Sequence, residues 1–134
     1  MSGLRGQLTL LGVTVTGGPF DAIPDGAFGV CLEPSAAKAW LADVPLPVRD
    51  FGVPDEAAMH EAVAAVLRQM REDPSRPVHV GCRAGYGRTG LFLACLARAA
   101  GVEGDALDHV RRHYHPNAAE TPEQEAMART FTWP

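Results

Sequence analysis

Apolar residues in the second half of the chain recur at the spacing of helices. Residues 55–71 carry apolar side chains at i, i+4, i+7, i+8 and i+11, which predicts an amphipathic helix. Residues 90–100 are apolar nearly all round and predict a buried central helix. Shorter helices are predicted at 105–115 and from Pro122 to about Phe131.

Shorter apolar runs in the first half predict β-strands. Residues 8–10 and 13–15 alternate apolar and polar side chains, which is typical of edge strands, with a bend at Gly12 between them. Residues 27–32 predict a buried strand, and residues 78–81 form another that leads directly into a glycine-rich turn.

The connections between these elements carry their own signals. Residues 17–19, Gly-Gly-Pro, predict a turn. Ser35 is expected to cap a helix that runs to about Leu41, with Trp40 packed in the core. Residues 44–48 contain two prolines, so they are expected to be extended without forming a central strand.

The order of the elements predicts the fold class. Short strands come first, helices then alternate with the strand at 78–81, and helices finish the chain. This order predicts a single α/β domain over residues 1–134, with helices on both faces of a small, mostly parallel sheet. The glycine-rich turn follows the carboxyl end of its strand, where such sheets bind ligands.

Composition narrows the classes of partner and compartment. The net charge of −4, with no basic run, argues against a nucleic-acid partner, and no apolar run approaches a membrane span. Three cysteines without framework spacing suggest a reducing, cytoplasmic location. Residues 8–15 could imitate a short secretory leader, but their alternation with Thr and the lack of a small-residue cleavage site favour strands.

The turn after residues 78–81 has a direct chemical use. Cys82 and Arg88 enclose five residues, of which Gly85 and Gly87 permit a tight turn. Successive N–H groups of such a turn, together with the start of the following helix, can bind an anion and hold a cysteine as its thiolate. The Arg88 guanidinium can donate two hydrogen bonds to a tetrahedral oxyanion. The alternative is a tight strand-to-helix turn with a buried free cysteine.

Residues 82–89 resemble the signature loop of the protein tyrosine phosphatase superfamily, and the smaller dual-specificity-like members are closest in length. The resemblance implies that Cys82 is the nucleophile, that Arg88 clamps phosphate and that the Thr89 hydroxyl eases departure of the thiolate. It also implies that the substrate phosphate is bound by the loop itself, residues Arg83, Ala84, Gly85, Tyr86, Gly87 and Arg88. The family has His directly before the Cys, where this chain has Gly81, with His79 two residues further back.

Residues 48–54, Val-Arg-Asp-Phe-Gly-Val-Pro, resemble the general-acid loop of the same superfamily, commonly Trp-Pro-Asp-Phe-Gly-Val-Pro. The resemblance implies that Asp50 protonates the leaving oxygen and later activates water. Val48 and Arg49 replace the family's Trp-Pro. The alternative is a surface aspartate ahead of a helix whose first turn follows Pro54.

Residues 120–124 resemble the superfamily's glutamine loop, which helps to orient the hydrolytic water. Gln124 matches its second glutamine, and Glu120 stands in place of the first. Thr121 and Gln124 are also spaced as a capping box, and both interpretations can hold together.

The resemblance implies a phosphatase that hydrolyses phosphate monoesters through a phosphocysteine intermediate, without metal or cofactor. Its expected partner is a phosphorylated protein, phosphotyrosine above all, or a small phosphate ester. The alternatives are a module that binds phosphate or phosphopeptide with little turnover, and a rhodanese-like sulfur transferase. Phosphoinositides are ranked lower because the loop has no lysine.

The remaining chemistry-bearing side chains have simpler expectations. His109 and His113 are four residues apart; a metal site is conceivable, but a solvated helix face is favoured. Cys31 and Cys95 are expected to pack in the core, the alternative being a resolving partner for Cys82.

Overall fold

A computed structural model describes residues 3–134 of the chain, and its centre is one five-stranded sheet. The strands are β1 (Gly6–Leu10), β2 (Val13–Pro19), β3 (Phe28–Cys31), β4 (Val44–Pro45) and β5 (Val78–Cys82). Their order in the sheet is β1-β2-β5-β3-β4. Only the β1–β2 pair is antiparallel, and the other three pairs are parallel. The predicted α/β class with a mostly parallel sheet is confirmed.

Within the described residues, four α-helices follow the first four strands: α1 (Glu56–Glu72), α2 (Gly87–Ala99), α3 (Ala106–His113) and α4 (Pro122–Thr130). Their buried side chains share one core cluster with the sheet residues Val13, Val15, Val78 and Val80. Successive side chains of a strand point to opposite faces of the sheet. The other face carries a smaller cluster of Phe20, Ile23, Ala27 and Cys31, which is covered by short segments that include the 3-10 turns at Phe20–Ala22 and Ala39–Leu41.

The helices α1, α3 and α4 have side-chain caps at their N-termini, whereas α2 has none. The Asp55 carboxylate caps α1, the Asp105 carboxylate caps α3, and Thr121 with Gln124 forms the predicted capping box of α4. The central helix α2 begins at Gly87 without a side-chain cap, directly after the loop that follows β5. Its first N–H groups are therefore left for another partner.

The prediction of a turn at residues 17–19 is wrong, because these residues belong to β2. β2 is also not an edge strand, since it lies between β1 and β5. The glycines serve close packing instead. A Cβ on Gly17 would lie 2.6 Å from the Tyr114 hydroxyl, and a Cβ on Gly85 would lie 2.4 Å from the Gly18 Cα atom.

The prediction of a helix capped by Ser35 is wrong as well. Only a 3-10 turn forms, at Ala39–Leu41, and the Ser35 hydroxyl donates to the Glu33 carboxylate instead of capping. The Asp21 carboxylate accepts the N–H groups of Ala37 and Lys38, which ties this segment to the first 3-10 turn. Trp40, expected in the core, is 79% exposed. One helical turn has no continuous apolar face to bury.

No helix within residues 3–134 combines the length and apolar character needed to cross a bilayer.

The exposure of Trp40 predicts the effect of removing it. Trp40→Ala should change the free energy of unfolding by no more than about 0.5 kcal/mol, because the side chain has little contact area to lose. Phe92→Ala, at a fully buried position of α2, should cost about 3–5 kcal/mol. Urea unfolding followed by circular dichroism measures both. A loss above about 2 kcal/mol for Trp40→Ala would place this side chain in a packed contact after all.

Candidate active site

The loop that joins β5 to α2 surrounds the sulfur of Cys82. Cys82 is the last residue of β5 and is buried. Its Sγ accepts the Gly85 N–H at 3.2 Å and the Thr89 hydroxyl at 3.1 Å. Gly85 has a φ of +90°, a left-handed conformation that favours glycine. The sulfur therefore faces two hydrogen-bond donors, one from the backbone of the loop and one from the start of α2.

Arg88 is buried and joins three segments of the chain. Its NH1 group donates to the Val48 carbonyl at 2.8 Å and the Leu32 carbonyl at 3.3 Å, and it contacts the Glu33 carboxylate at 2.9 Å. Its NH2 group is buried without a hydrogen-bond partner in residues 3–134, and it lies 3.5 Å from an oxygen of Asp50. The guanidinium is thus fixed by NH1, and NH2 keeps donors for an oxyanion.

Glu33 is a site residue that sequence reasoning missed. The Ser35 hydroxyl, foremost, and then the Ser35 N–H and Arg88 lower the pKa of Glu33 to about 2, against an opposing effect of burial. The carboxylate is therefore ionised at neutral pH and balances the buried Arg88 charge. No motif marks it. The available signal was its position just after a parallel strand, at the sheet edge where ligands bind.

The loop of residues 48–54 lies against this site with Asp50 half exposed. One Asp50 oxygen accepts the Phe51 N–H at 3.0 Å, and the same oxygen faces Arg88 NH2. Phe51 is exposed and has a φ of +63°, uncommon for a bulky residue. The two stretches that sequence analysis singled out are thus brought together in space.

Gln124 holds the far end of that loop. Its side chain is fully buried, and Nε2 donates to the Gly52 carbonyl at 3.0 Å. Oε1 accepts the N–H groups of Glu120 at 2.8 Å and Thr121 at 3.3 Å. With Arg88 on the Val48 carbonyl, a side chain binds the loop on each side of Asp50.

Glu120 lies at the opposite rim, at the start of α2. A Cβ on Gly87 would lie 2.4 Å from Glu120 Oε1, so the carboxylate packs directly over this glycine. Glu120 is exposed, and its carboxylate makes no hydrogen bond or ion pair in the described chain. Of the two residues in the predicted glutamine loop, Glu120 carries the free side chain and Gln124 the engaged one.

The lip of the loop is formed by residues 83–86. Arg83 and Ala84 are exposed, whereas Tyr86 is half-buried. The Tyr86 ring has the Arg5 guanidinium 5.1 Å from its centroid and the His115 ring at 4.7 Å. A cavity of about 160 Å³ adjoins Cys82 and is lined by residues that include Phe20, Asp21, Glu33, Ser35 and Arg83.

The residue before Cys82 is glycine for a steric reason. A Cβ on Gly81 would lie 2.3 Å from the Phe20 Cα atom, so no larger side chain fits without a backbone shift. His79 lies on the same face of β5 and is fully buried. Its Nε2 donates to the Pro19 carbonyl at 3.1 Å, so Nδ1 accepts the Thr16 hydroxyl at 2.8 Å. Burial lowers the pKa of His79, which keeps the ring neutral.

The other two cysteines do not face the Cys82 sulfur, although the Cys31 thiol donates to the Glu33 carbonyl at 3.2 Å. Cys31 is opposite Gly81 in the β3–β5 register, which directs its side chain to the face of the sheet opposite that of Cys82. Cys95 is buried in α2, and burial raises the pKa of its thiol to about 12. All three cysteines are free, and the positions of Cys31 and Cys95 favour packing over a resolving role.

His109 and His113 share a helix face, with ring centroids 4.3 Å apart. Residues 3–134 contain no group of three or more His, Cys, Asp or Glu side chains that could hold a metal ion.

Known proteins resemble this chain in both sequence and fold. The uncharacterized protein MJECL20 of Methanocaldococcus jannaschii is 38% identical over 86 residues, 64% of this chain and 56% of that protein. Human receptor-type tyrosine-protein phosphatase epsilon is 34% identical over 82 residues, 56% of this chain and 12% of that protein. The chain thus spans about half the length of the archaeal relative and a small part of the human one.

Solved structures share the architecture at lower identity. Tk-PTP in its active form superposes with a TM-score of 0.70 at 23% identity, covering 92% of each chain. Kinase associated phosphatase superposes with a TM-score of 0.66 at 18% identity, covering 88% of this chain and 85% of the other. These two similarities establish the fold.

The family itself is identified from the sequence. The family model described as "PTP-SAK: Swiss Army Knife protein, DSP-PTPase phosphatase domain" matches residues 31–131, well over half of the chain. The match includes the Asp50 loop, the Cys82–Arg88 loop and Gln124. The chain therefore belongs to this DSP-PTPase family, as a small dual-specificity-like, cysteine-based phosphatase domain of the protein tyrosine phosphatase superfamily.

Proposed function

We propose that the protein hydrolyses phosphate monoesters, of phosphotyrosine or other phosphoproteins in the first place, through a phosphocysteine intermediate on Cys82. The observation that carries the proposal is the buried NH2 group of Arg88, which has no hydrogen-bond partner within residues 3–134 and lies beside the Asp50 carboxylate. Arg88 ends the loop in which the Cys82 sulfur accepts two hydrogen bonds. A nucleophile, a charge clamp and an acid thus converge on one site.

In the first step, the Cys82 thiolate attacks phosphorus in line with the leaving oxygen. The S–P bond forms as the P–O bond breaks, and Asp50 gives its proton to the departing oxygen. Arg88 NH2 and the N–H groups of residues 83–88 bind the equatorial oxygens.

In the second step, water attacks phosphocysteine with Asp50 as base, which releases phosphate and the thiolate. The Thr89 hydroxyl, 3.1 Å from the sulfur, stabilises the departing thiolate. Water and the ester are the only reactants that the cycle consumes.

For Gln124, the contacts favour a role in holding the loop of residues 48–54 that carries Asp50, called the acid loop below. Its amide oxygen is taken by two N–H groups, and its amide nitrogen donates to Gly52, two residues after Asp50. The water-orienting role that the resemblance implies would depend on the second Nε2 proton of a fully buried side chain. The two roles act on different chemical steps and can be separated.

The cavity beside Cys82 and the chemistry of its thiol bear on the substrate and the compartment. The cavity beside Cys82 is small and carries the carboxylates of Asp21 and Glu33 as well as Arg83, so a small phosphate ester is the second candidate. A nucleophilic thiol requires a reducing environment, so we propose a cytoplasmic location.

Turnover of aryl phosphates against pH, with chelator present, tests the proposal. Cys82→Ser should abolish turnover. Asp50→Asn should lower kcat for phenyl phosphate by about 10²–10⁴-fold and remove the fall in activity at high pH, because the acid form of Asp50 is what the poor leaving group needs. Cys95→Ala and Asp25→Asn are the matched controls and should leave turnover unchanged.

The contrary outcomes point to specific alternatives. Turnover that stops with chelator and survives Cys82→Ser would refute cysteine catalysis. A wild type that binds vanadate without turnover would be the phosphate-binding module, and thiosulfate-to-cyanide transfer would indicate sulfur transfer.

The two roles of Gln124 predict different kinetics in Gln124→Met. If Gln124 holds the acid loop, kcat/KM for phenyl phosphate should fall about 10-fold, the value of the one hydrogen bond that Gln124 donates to Gly52. The loss should be much smaller for 2,4-dinitrophenyl phosphate, because its phenolate leaves without a proton. Stopped-flow and steady-state assays on both esters measure this difference.

Gln7→Met, at an exposed glutamine of β1, is the control for the substitution. An equal loss of kcat on both esters with kcat/KM unchanged, and a burst of the phenol before a slow steady state, would instead assign Gln124 to the hydrolytic water.

A further inference from the structure

The carbonyl groups of the Cys82–Arg88 loop need partners of their own. A loop that turns its N–H groups inward onto an anion turns its carbonyls outward, where other groups can donate to them, and a buried carbonyl such as that of Gly85 requires such a donor. Two consecutive carbonyls of this loop receive donors from side chains distant in sequence. Arg5 Nε donates to the Ala84 carbonyl at 3.0 Å, and the Tyr114 hydroxyl donates to the Gly85 carbonyl at 2.7 Å.

Each of these bonds fixes one peptide plane. In a planar trans peptide, C=O and N–H point in opposite directions. The peptide between Ala84 and Gly85 is bound at both ends, with its carbonyl on Arg5 and its N–H on the Cys82 sulfur. The next peptide has its carbonyl on Tyr114, which directs the Tyr86 N–H to the side of the loop away from Tyr114.

Tyr114 packs into the space that is left by the missing side chains of Gly6 and Gly17. A Cβ on Gly6 would lie 2.3 Å from the Tyr114 carbonyl oxygen, and a Cβ on Gly17 would lie 2.6 Å from its hydroxyl. Burial, foremost, and the nearby Cys82 raise the pKa of Tyr114, so the hydroxyl keeps its proton and remains a donor. Arg5 is held by its stacking on the Tyr86 ring.

We propose that Arg5 and Tyr114 are positioning residues of the phosphate site: they hold the Ala84 and Gly85 carbonyls outward, so that the N–H groups of Gly85 and Tyr86 face the sulfur and the phosphate oxygens. The proposal rests on the proposed function in that this loop binds an oxyanion. Neither side chain needs to touch the substrate. Arg5 lies outside residues 31–131, so a segment beyond the family match completes the site.

The test is oxyanion binding by variants that lose only these donors. Tungstate binding is measured by calorimetry, alongside kcat and KM for p-nitrophenyl phosphate and urea unfolding. Tyr114→Phe keeps the ring and removes the hydroxyl; it should raise the tungstate Kd about 10-fold and lower kcat/KM at least as much. Arg5→Met should have a similar effect that persists at 1 M salt, where a long-range charge effect is screened.

Val110→Ala tests whether a loss of stability near Tyr114 is by itself enough to weaken tungstate binding. Val110 is fully buried one turn before Tyr114, and its side chain makes no hydrogen bond to the loop. This variant should lose more stability than Tyr114→Phe and bind tungstate as the wild type does. In nitrogen-15 spectra, the tungstate-induced shifts of the Gly85 and Tyr86 amides should shrink in Tyr114→Phe and persist in Val110→Ala.

The outcomes separate this inference from the proposed function. A wild type that neither binds tungstate nor turns over substrate would overturn the proposed function. If the wild type binds tungstate and both Tyr114→Phe and Arg5→Met stay within 2-fold of it, the positioning role alone is refuted. A tungstate affinity that falls with stability in Val110→Ala as well would also refute it.

Discussion

The buried guanidinium of Arg88 is the constraint on which the rest of the site depends. A charge taken out of water is costly unless it is paired and hydrogen-bonded. Here the partners are the Leu32 carbonyl after β3, the Glu33 carboxylate and the Val48 carbonyl of the acid loop. One cation therefore fixes two segments, residues 32–33 and the loop at Val48, against the loop that carries it. Because NH1 makes all these contacts, NH2 is left for a ligand, and folding and binding use different nitrogens of one guanidinium.

The features that the sequence predicts well are those that depend on local pattern. Helix α1 follows from the apolar spacing of residues 55–71, and α2 from an apolar run after a glycine-rich turn. The capping box of α4 depends on two side chains three residues apart. Asp50 and Arg88 lie 38 positions apart, and no local pattern links them. Only the family resemblance predicts that the two side chains meet.

What the sequence does not predict depends on contacts across the fold. Glu33 becomes important only because β3 lies beside β5, which brings it to Arg88. Gly17 and Gly18 look like a turn, yet Tyr114 approaches Gly17 too closely for a side chain, and a Cβ on Gly18 would lie 3.0 Å from the Gly3 carbonyl oxygen. Trp40 looks like a core residue, yet its side chain is exposed because the short 3-10 turn has no apolar face to bury. For Glu33 and the two glycines, the deciding atoms belong to residues distant along the chain.

Gly81 shows how one contact across the fold changes which groups can donate hydrogen bonds to the Cys82 sulfur. The family's histidine at this position has no room here, because the Phe20 backbone packs where its Cβ would lie. His79 remains on the same face but is bound to Thr16 and Pro19, away from the sulfur. The donors that reach Cys82 Sγ are instead the Gly85 N–H and the Thr89 hydroxyl. Support for the sulfur therefore comes from within the loop. The shape of that loop becomes correspondingly more important, and it is held from outside by the strand β2 that packs against Gly85 and by the donors of Arg5 and Tyr114.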